Sequence, residues 1–405
     1  MRICARGSDD GAGVTKNVPS ASGLMRPRIK RGLPQLRLVL AVMIAVGLAG
    51  GGVFGFQAVG SSLAKPTVHW QAGYLDVTAT SSFKFGTAGS PVPESAVLSF
   101  VVSDPDSACV PNWGGLYSLE GAAQQLDLDH RIARLKKQGG SIAVSFGGPL
   151  NDELAVRCMD ATKLFEAYAS VVNRYETGTI DLDIEGVALT DSRTGLRRAT
   201  AIAALQKARG AAGRDLKVWL TLPAAPTGLT QAGTEAIVQL LDSGVDLAGV
   251  NVLTMDYGAA KPADQSMGDA SIQTLMAVHA QFATLLKAAR LDVSDPEVWQ
   301  RIGATPMIGV NDERGEVFSL DDAATLNRFA QDRGVARMSL FSTNRDRTCS
   351  SSPGVPEVVS QSCSGVEQGD VTFASVLGIG FDQIMPSSTP APILSGSVFS
   401  SPPPW

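Results

Sequence analysis

Histidine is scarce in this chain: three residues in 405, His69, His130 and His279, far apart and without a neighbouring ligand pattern. A zinc site or a histidine-based triad therefore has little material. Basic residues are few beyond position 37, where 26 Lys and Arg face 37 Asp and Glu. That excess of negative charge would be repelled by a phosphate backbone, so nucleic acid is not an expected partner. Aromatic residues make up only 6% of the chain, with five tryptophans. No internal repeat or second domain stands out, and no glycine fingerprint follows the first β-branched run. A doubly wound dinucleotide-binding sheet is thereby disfavoured. What is abundant is apolar: hydrophobic residues account for 44% against 18% charged, enough to bury a large core.

The first 37 residues carry eight basic and two acidic side chains and read as a cytoplasmic segment; Met25 offers a second start, which would leave residues 1–24 untranslated. Leu38 to Phe56 follow without a charged or polar side chain, nineteen residues that can span a bilayer as a helix. Segment 38–59 is read as a transmembrane anchor or a cleaved signal. The preceding positive charge favours a cytoplasmic N-terminus, and Ser62-Leu63-Ala64 offers a signal-peptidase site. Either way the remainder lies outside the cytoplasm, secreted or held on the membrane, where disulfides persist. The sequence-local pairing would join Cys109 with Cys158 and Cys349 with Cys363, although four cysteines allow three connectivities.

From His69 onward, β-branched runs alternate with helical patterns. Eight runs can be counted: 71–79, 96–103, 141–146, 179–184, 216–222, 249–255, 302–308 and 337–342. Segments such as 161–175, 197–212, 235–241 and 320–333 repeat apolar residues three and four apart. Eight such units over residues 66–385 predict an α/β fold, a (β/α)8 TIM barrel. The stretch 386–405 is uncharged, rich in Pro and Ser, and reads as a disordered tail.

The most informative stretch is Thr179-Ile180-Asp181-Leu182-Asp183-Ile184-Glu185-Gly186, in which carboxylates alternate with aliphatics. Residues two apart on a strand share a face, so Asp181, Asp183 and Glu185 should point into the barrel and the aliphatics towards the helices. Glu185 would stand at the mouth, the reactive end of such barrels. Repulsion between like charges would raise its pKa and hold a proton available for general acid catalysis. A calcium loop would show glycine-punctuated oxygen ligands instead of alternating Ile and Leu, and a solvated edge strand would lack the apolar opposite face.

This stretch resembles the Asp-x-Asp-x-Glu ending of strand four in glycoside hydrolase family 18, the chitinases and their relatives, although the Asp that often opens the motif is replaced by Gly178. Ser145-Phe146-Gly147-Gly148 resembles the family's Ser-x-Gly-Gly, and Met255-Asp256-Tyr257 its Met-x-Tyr segment. Cys109 to Gly115 and Thr305 to Gly309 look like a bacterial branch, and the likeness extends from His69 to Gln383. Where the family commonly carries a Trp at the end of strand eight, Phe341 stands here.

The resemblance implies hydrolysis of β-1,4-linked N-acetylglucosamine, in chitin or chito-oligosaccharides, with attack by the substrate's own acetamide and retention at the anomeric carbon. Glu185 would protonate the leaving oxygen, Asp183 would orient the acetamide and share a proton with Asp181, and Tyr257 would hydrogen-bond the acetamide oxygen. Asp256, Met255, Phe341, Ser145, Gly147 and Gly148 are expected around the sugar. No metal or organic cofactor is implied. The expected partners are an N-acetylglucosamine-containing glycan and, through the N-terminal segment, a membrane. Sparse aromatics favour a short or soluble substrate. The rival readings are a lectin-like relative without turnover and an endo-N-acetylglucosaminidase acting on other glycans.

Overall fold

A computed structural model describes residues 69–79, 95–349, 359–382 and 385. The basic segment 1–37, the apolar run 38–59 and the tail 386–405 lie outside the described residues. Within them, no helix is long and apolar enough to cross a membrane.

The eight runs each overlap a parallel strand, and the strands close into a barrel. β1 runs in two pieces, Trp70–Gln71 and Gly73–Asp76, and is followed by β2 (Ser95–Ser103), β3 (Ser141–Gly147), β4 (Thr179–Asp183), β5 (Lys217–Ala225), β6 (Leu247–Leu253), β7 (Ile302–Thr305) and β8 (Arg337–Met338). The two pieces of β1 complete the circle: Trp70 is in register with Arg337 of β8, and Gly73 with Ala96 of β2. β4 is shorter than its sequence pattern suggests. It ends at Asp183, and Glu185 continues the extended backbone as the N-cap of a short helix, Gly186–Thr190.

Helices Leu128–Lys137 (α1), Ala161–Arg174 (α2), Ser192–Ala211 (α3), Gln231–Asp242 (α4), Met267–Ala288 (α5) and Leu320–Arg333 (α6) pack around the barrel. Their starts are set by side chains that accept otherwise unpaired backbone N–H groups: Asp160 for α2, Asp191 for α3, Thr230 for α4, Ser266 for α5. Ser319 and Asp322 form a reciprocal capping box on α6, which Gly334 ends at φ 77°. The longest helix, α5, is not among the segments singled out by periodicity. Its apolar residues occupy more than one side, with Leu275 and Val278 buried while Met276 is exposed.

Two separate zones are buried. Between barrel and helices lies the main core, to which β4 contributes Ile180, Leu182 and Ile184. Inside the barrel, Trp70, Val97, Ala143, Trp219 and Ala248 form an apolar layer, the two indoles meeting edge to face with centroids 5.7 Å apart. Both sequence-local disulfides are formed. Cys109–Cys158 ties the loop after β2 to the end of a short helix, Leu154–Arg157, and Cys349–Cys363 closes a loop after β8.

Candidate active site

Above the apolar layer the barrel interior turns polar, and Asp181 is its centre. Its Oδ2 accepts hydrogen bonds from the hydroxyls of Tyr74 (2.8 Å) and Ser145 (2.7 Å). Its Oδ1 accepts from Thr221 (2.7 Å) and from Nη1 of Arg337 (2.5 Å). The guanidinium of Arg337 also lies 5.2 to 5.5 Å from the ring centroids of Trp70, Tyr74 and Trp219. Aromatic faces and a carboxylate together offset the cost of burying that cation. Every acceptor position of Asp181 is thereby occupied. The carboxylate of Asp181, expected to share a proton with Asp183, is paired in the structure with Arg337 from β8, four strands away around the barrel.

Asp183 differs sharply from its neighbour. It is 3% exposed, lines a cavity at the C-terminal end of the strands, and its Oδ1 has no hydrogen-bond partner. Burial first, then the charges of Glu185 and Asp181, push its carboxyl well above the ordinary range, against a smaller opposing effect of Arg337. Glu185 lines the same cavity, and its pKa is raised to about 7. The main cause is burial, and the charge that adds to it is that of Asp256. Repulsion within its own run of carboxylates was the expected source of the shift; desolvation comes first, and Glu185 and Asp183 do repel one another across the cavity.

The cavity measures about 270 Å³ and takes its acids from three places: Asp183 and Glu185, Asp256, and Asp312. Phe100 and Phe341 form one wall, stacked with centroids 6.5 Å apart, and Met255 forms part of another. Among the described residues no group of three or more His, Cys, Asp or Glu is placed to hold a metal ion.

Other residues expected at the sugar serve from behind. Ser145 is spent on Asp181. Gly147, at φ 104°, lies so near β4 that a Cβ would stand 2.1 Å from the carbonyl oxygen of Asp183. Gly148 donates its N–H to that same carbonyl (2.8 Å), and a Cβ on it would strike the Phe100 ring. The two glycines permit the close approach that sets Asp183 and Phe100, without lining the cavity themselves.

Tyr257 requires a correction. Its ring is only 6% exposed and belongs to the core between barrel and helices, and its hydroxyl accepts a hydrogen bond from Thr274 of α5 (3.0 Å). Burial there pushes it up to about 12. Asp256 adopts φ 49°, and Glu316 accepts the next two backbone N–H groups, from Tyr257 (3.0 Å) and Gly258 (2.9 Å). This turn presents Met255 and Asp256 to the cavity and sends the tyrosine to the helix layer.

Tyr74, Phe100, Thr221, Asp312 and Arg337 are the site residues that sequence reasoning missed. The available signal was a polar side chain within an apolar strand, as with Arg337 in the eighth run, but nothing in one sequence says which strands face each other across the barrel.

No protein-family model matches the chain. Among curated proteins it is similar to the probable bifunctional chitinase/lysozyme of Escherichia coli (strain K12), 36% identical over 255 residues, which is 62% of this chain and 28% of that protein. It is also similar to endochitinase 11 of Metarhizium anisopliae, 35% identical over 256 residues, 62% of this chain and 47% of that one. The match thus spans less than half the length of either relative. Among solved structures, the catalytic domain of a hyperthermophilic chitinase from Pyrococcus furiosus is 27% identical, with a TM-score of 0.63 over 76% of this chain and 93% of that chain. Catalytic-site mutants of active domain 2 of a thermostable chitinase from the same organism, complexed with chito-oligosaccharides, give 26% and 0.65 over 78% and 96%. Taken with the carboxylates of β4 and the closed barrel that holds them, these likenesses show that the barrel of this chain is similar to the catalytic domains of chitinases.

Proposed function

We propose that this protein hydrolyses β-1,4-linked N-acetylglucosamine, in chitin or chito-oligosaccharides, with participation of the substrate's acetamide and retention at the anomeric carbon. The observation that carries this reading is the division of labour along β4 and the extended residues that follow it. Asp181 is saturated with donors, Asp183 brings an unpartnered oxygen to the cavity, and Glu185 holds a proton up to about pH 7. In this scheme Glu185 donates its proton to the departing glycosidic oxygen. Asp183 accepts the acetamide N–H on its free oxygen, aligning the carbonyl oxygen for attack on the anomeric carbon. The oxazolinium-type intermediate is then opened by water, with Glu185 as the base. Asp256 takes the place beside the acetamide that Tyr257 was expected to hold, since Asp256 is the one of the pair that lines the cavity. Phe341 and Phe100 supply an apolar face for a pyranose.

The test is hydrolysis of chitotetraose and chitohexaose by the protein and by Glu185→Gln, with product anomers followed by NMR. The expected outcome is β-product from the wild type and a loss of about 10²-fold or more in kcat in the variant, with binding retained. An inverted product would overturn the mechanism. Binding without cleavage by both proteins would make this a lectin-like relative, and no binding by either would point to another N-acetylglucosamine glycan.

Location belongs to the same proposal. The run 38–59 as anchor or signal places the barrel outside the cytoplasm, and the two disulfides support an oxidising compartment.

A further inference from the structure

Between the loop after β3, α2 and α3 lies a buried ion pair that the chemistry above does not use. Glu153 and Arg198 are 1% and 3% exposed, and Nε of Arg198 donates to Oε2 of Glu153 at 3.0 Å. The Tyr168 hydroxyl and the backbone N–H of Ala155 also donate to that carboxylate, so Glu153 is fixed in the loop that follows Gly147 and Gly148. The other arm of Arg198 reaches elsewhere: its Nη2 donates to the carbonyl of Ala188 at 2.8 Å. Ala188 belongs to the short helix Gly186–Thr190, whose N-cap is Glu185, and the Leu189 N–H bonds the Glu185 carbonyl at 3.2 Å. No side chain of that helix is fully buried, and Ala188 and Leu189 rest half-buried against the core. A rotation of so lightly packed a helix would swing the Glu185 carboxyl.

We propose that Arg198 is a positioning residue for the acid: its planar fork clamps the helix that begins at Glu185 to the Glu153 loop, and so aims the Glu185 carboxyl into the cavity. A guanidinium spans two acceptors in a fixed geometry, which an ammonium does not. The inference rests on the reading of Glu185 as the proton donor. The charged groups facing Glu185 are Asp183 beside it on β4, with the Asp181–Arg337 pair beneath, and Asp256 from the loop after β6.

The experiment compares the full chain with Arg198→Lys, which keeps a counter-charge for Glu153 but lacks the second arm. Three readouts are taken: kcat and KM on chitotetraose, the melting temperature, and the carbon-13 NMR titration of the Glu185 carboxyl, assigned by its absence in Glu185→Gln. The expected result is a fall in kcat of about tenfold or more with KM within about twofold, as for a misaimed group that acts in the transition state. The Glu185 midpoint should also fall from about 7 towards the ordinary carboxyl range as water reaches it. A folded variant whose Glu185 midpoint is unchanged overturns the proposal, whatever happens to kcat. If the wild type cleaves no oligosaccharide, the proposed activity fails, while the titration still decides the role of Arg198. If Arg198→Lys does not fold, the double variant Glu153→Gln with Arg198→Gln, which leaves no buried charge unpaired, is read by the same titration.

Discussion

A glutamate that stays protonated near neutrality must be held away from water, and Glu185 meets that requirement chiefly by burial. The linkage has a definite sign. Its folded pKa, about 7, lies above the ordinary 4.5, so the folded state keeps a proton that the unfolded chain loses. The stability this contributes is fully present below pH 4.5 and is lost as pH rises through 7. Glu185→Gln does not titrate and should gain on the wild type over that window, by about 1–3 kcal/mol at pH 8 with little difference at pH 4. Melting curves of the two proteins at both pH values check this, and a constant gap would contradict it. Arg337 poses the opposite problem, a permanent charge with no exit to solvent. Arg337→Leu leaves Asp181 buried and unpaired and should cost about 3–5 kcal/mol, read as a lowered urea midpoint. That Asp183 and Glu185 face one cavity was legible in the sequence, because alternation along an extended backbone is local. The partnership of Asp181 with Arg337, 156 residues away, was not, because register around a closed barrel sets it.

At the scale of elements, the C-terminal ends of the strands do more than end. Asp256 and Tyr257 were both expected at the sugar, and the turn at Asp256 keeps the first at the cavity and sends the second to the helix layer. The direction of the chain after that strand depends on Glu316 accepting two backbone N–H groups, and Glu316 sits in a different loop, 58 and 59 residues on from them. The Ser-x-Gly-Gly segment was correctly placed at the end of β3, yet its part is to let β3 and β4 come close. The loop that follows is held on one side by the Glu153–Arg198 pair and on the other by Cys109–Cys158. Replacing both of these cysteines by serine should cost about 2–4 kcal/mol, because the unfolded chain regains the freedom of a loop of 49 residues. Equilibrium urea unfolding measures it, and an unchanged midpoint would mean that packing alone holds this loop.

At the scale of the whole molecule, the chain after β8 returns to the start of the barrel. The carboxylate of Asp346 accepts the backbone N–H groups of Phe373 and Ala374 at the start of the helix Phe373–Leu377 (α7). Asp382 exchanges backbone hydrogen bonds with His69 and Gln71 at the edge of β1. Phe373 and Leu377 are fully buried. Truncation after Gly369 should therefore lower the melting temperature by about 10 °C or more, since two large side chains contribute about 1.5–3 kcal/mol each. Scanning calorimetry gives the answer, and an unshifted transition would show the segment to be dispensable for stability.

Fold class, the number of strands, their order and the pair Asp183 and Glu185 could all be read from the residues alone, because each rests on a periodicity of two or of three to four within a short window. The cysteine pairing, the neutralisation of Asp181, the place of Tyr257 and the wall formed by Phe100 were decided only in three dimensions. Each depends on which side chains a closed barrel brings face to face from strands far apart in the chain, and no local pattern records that.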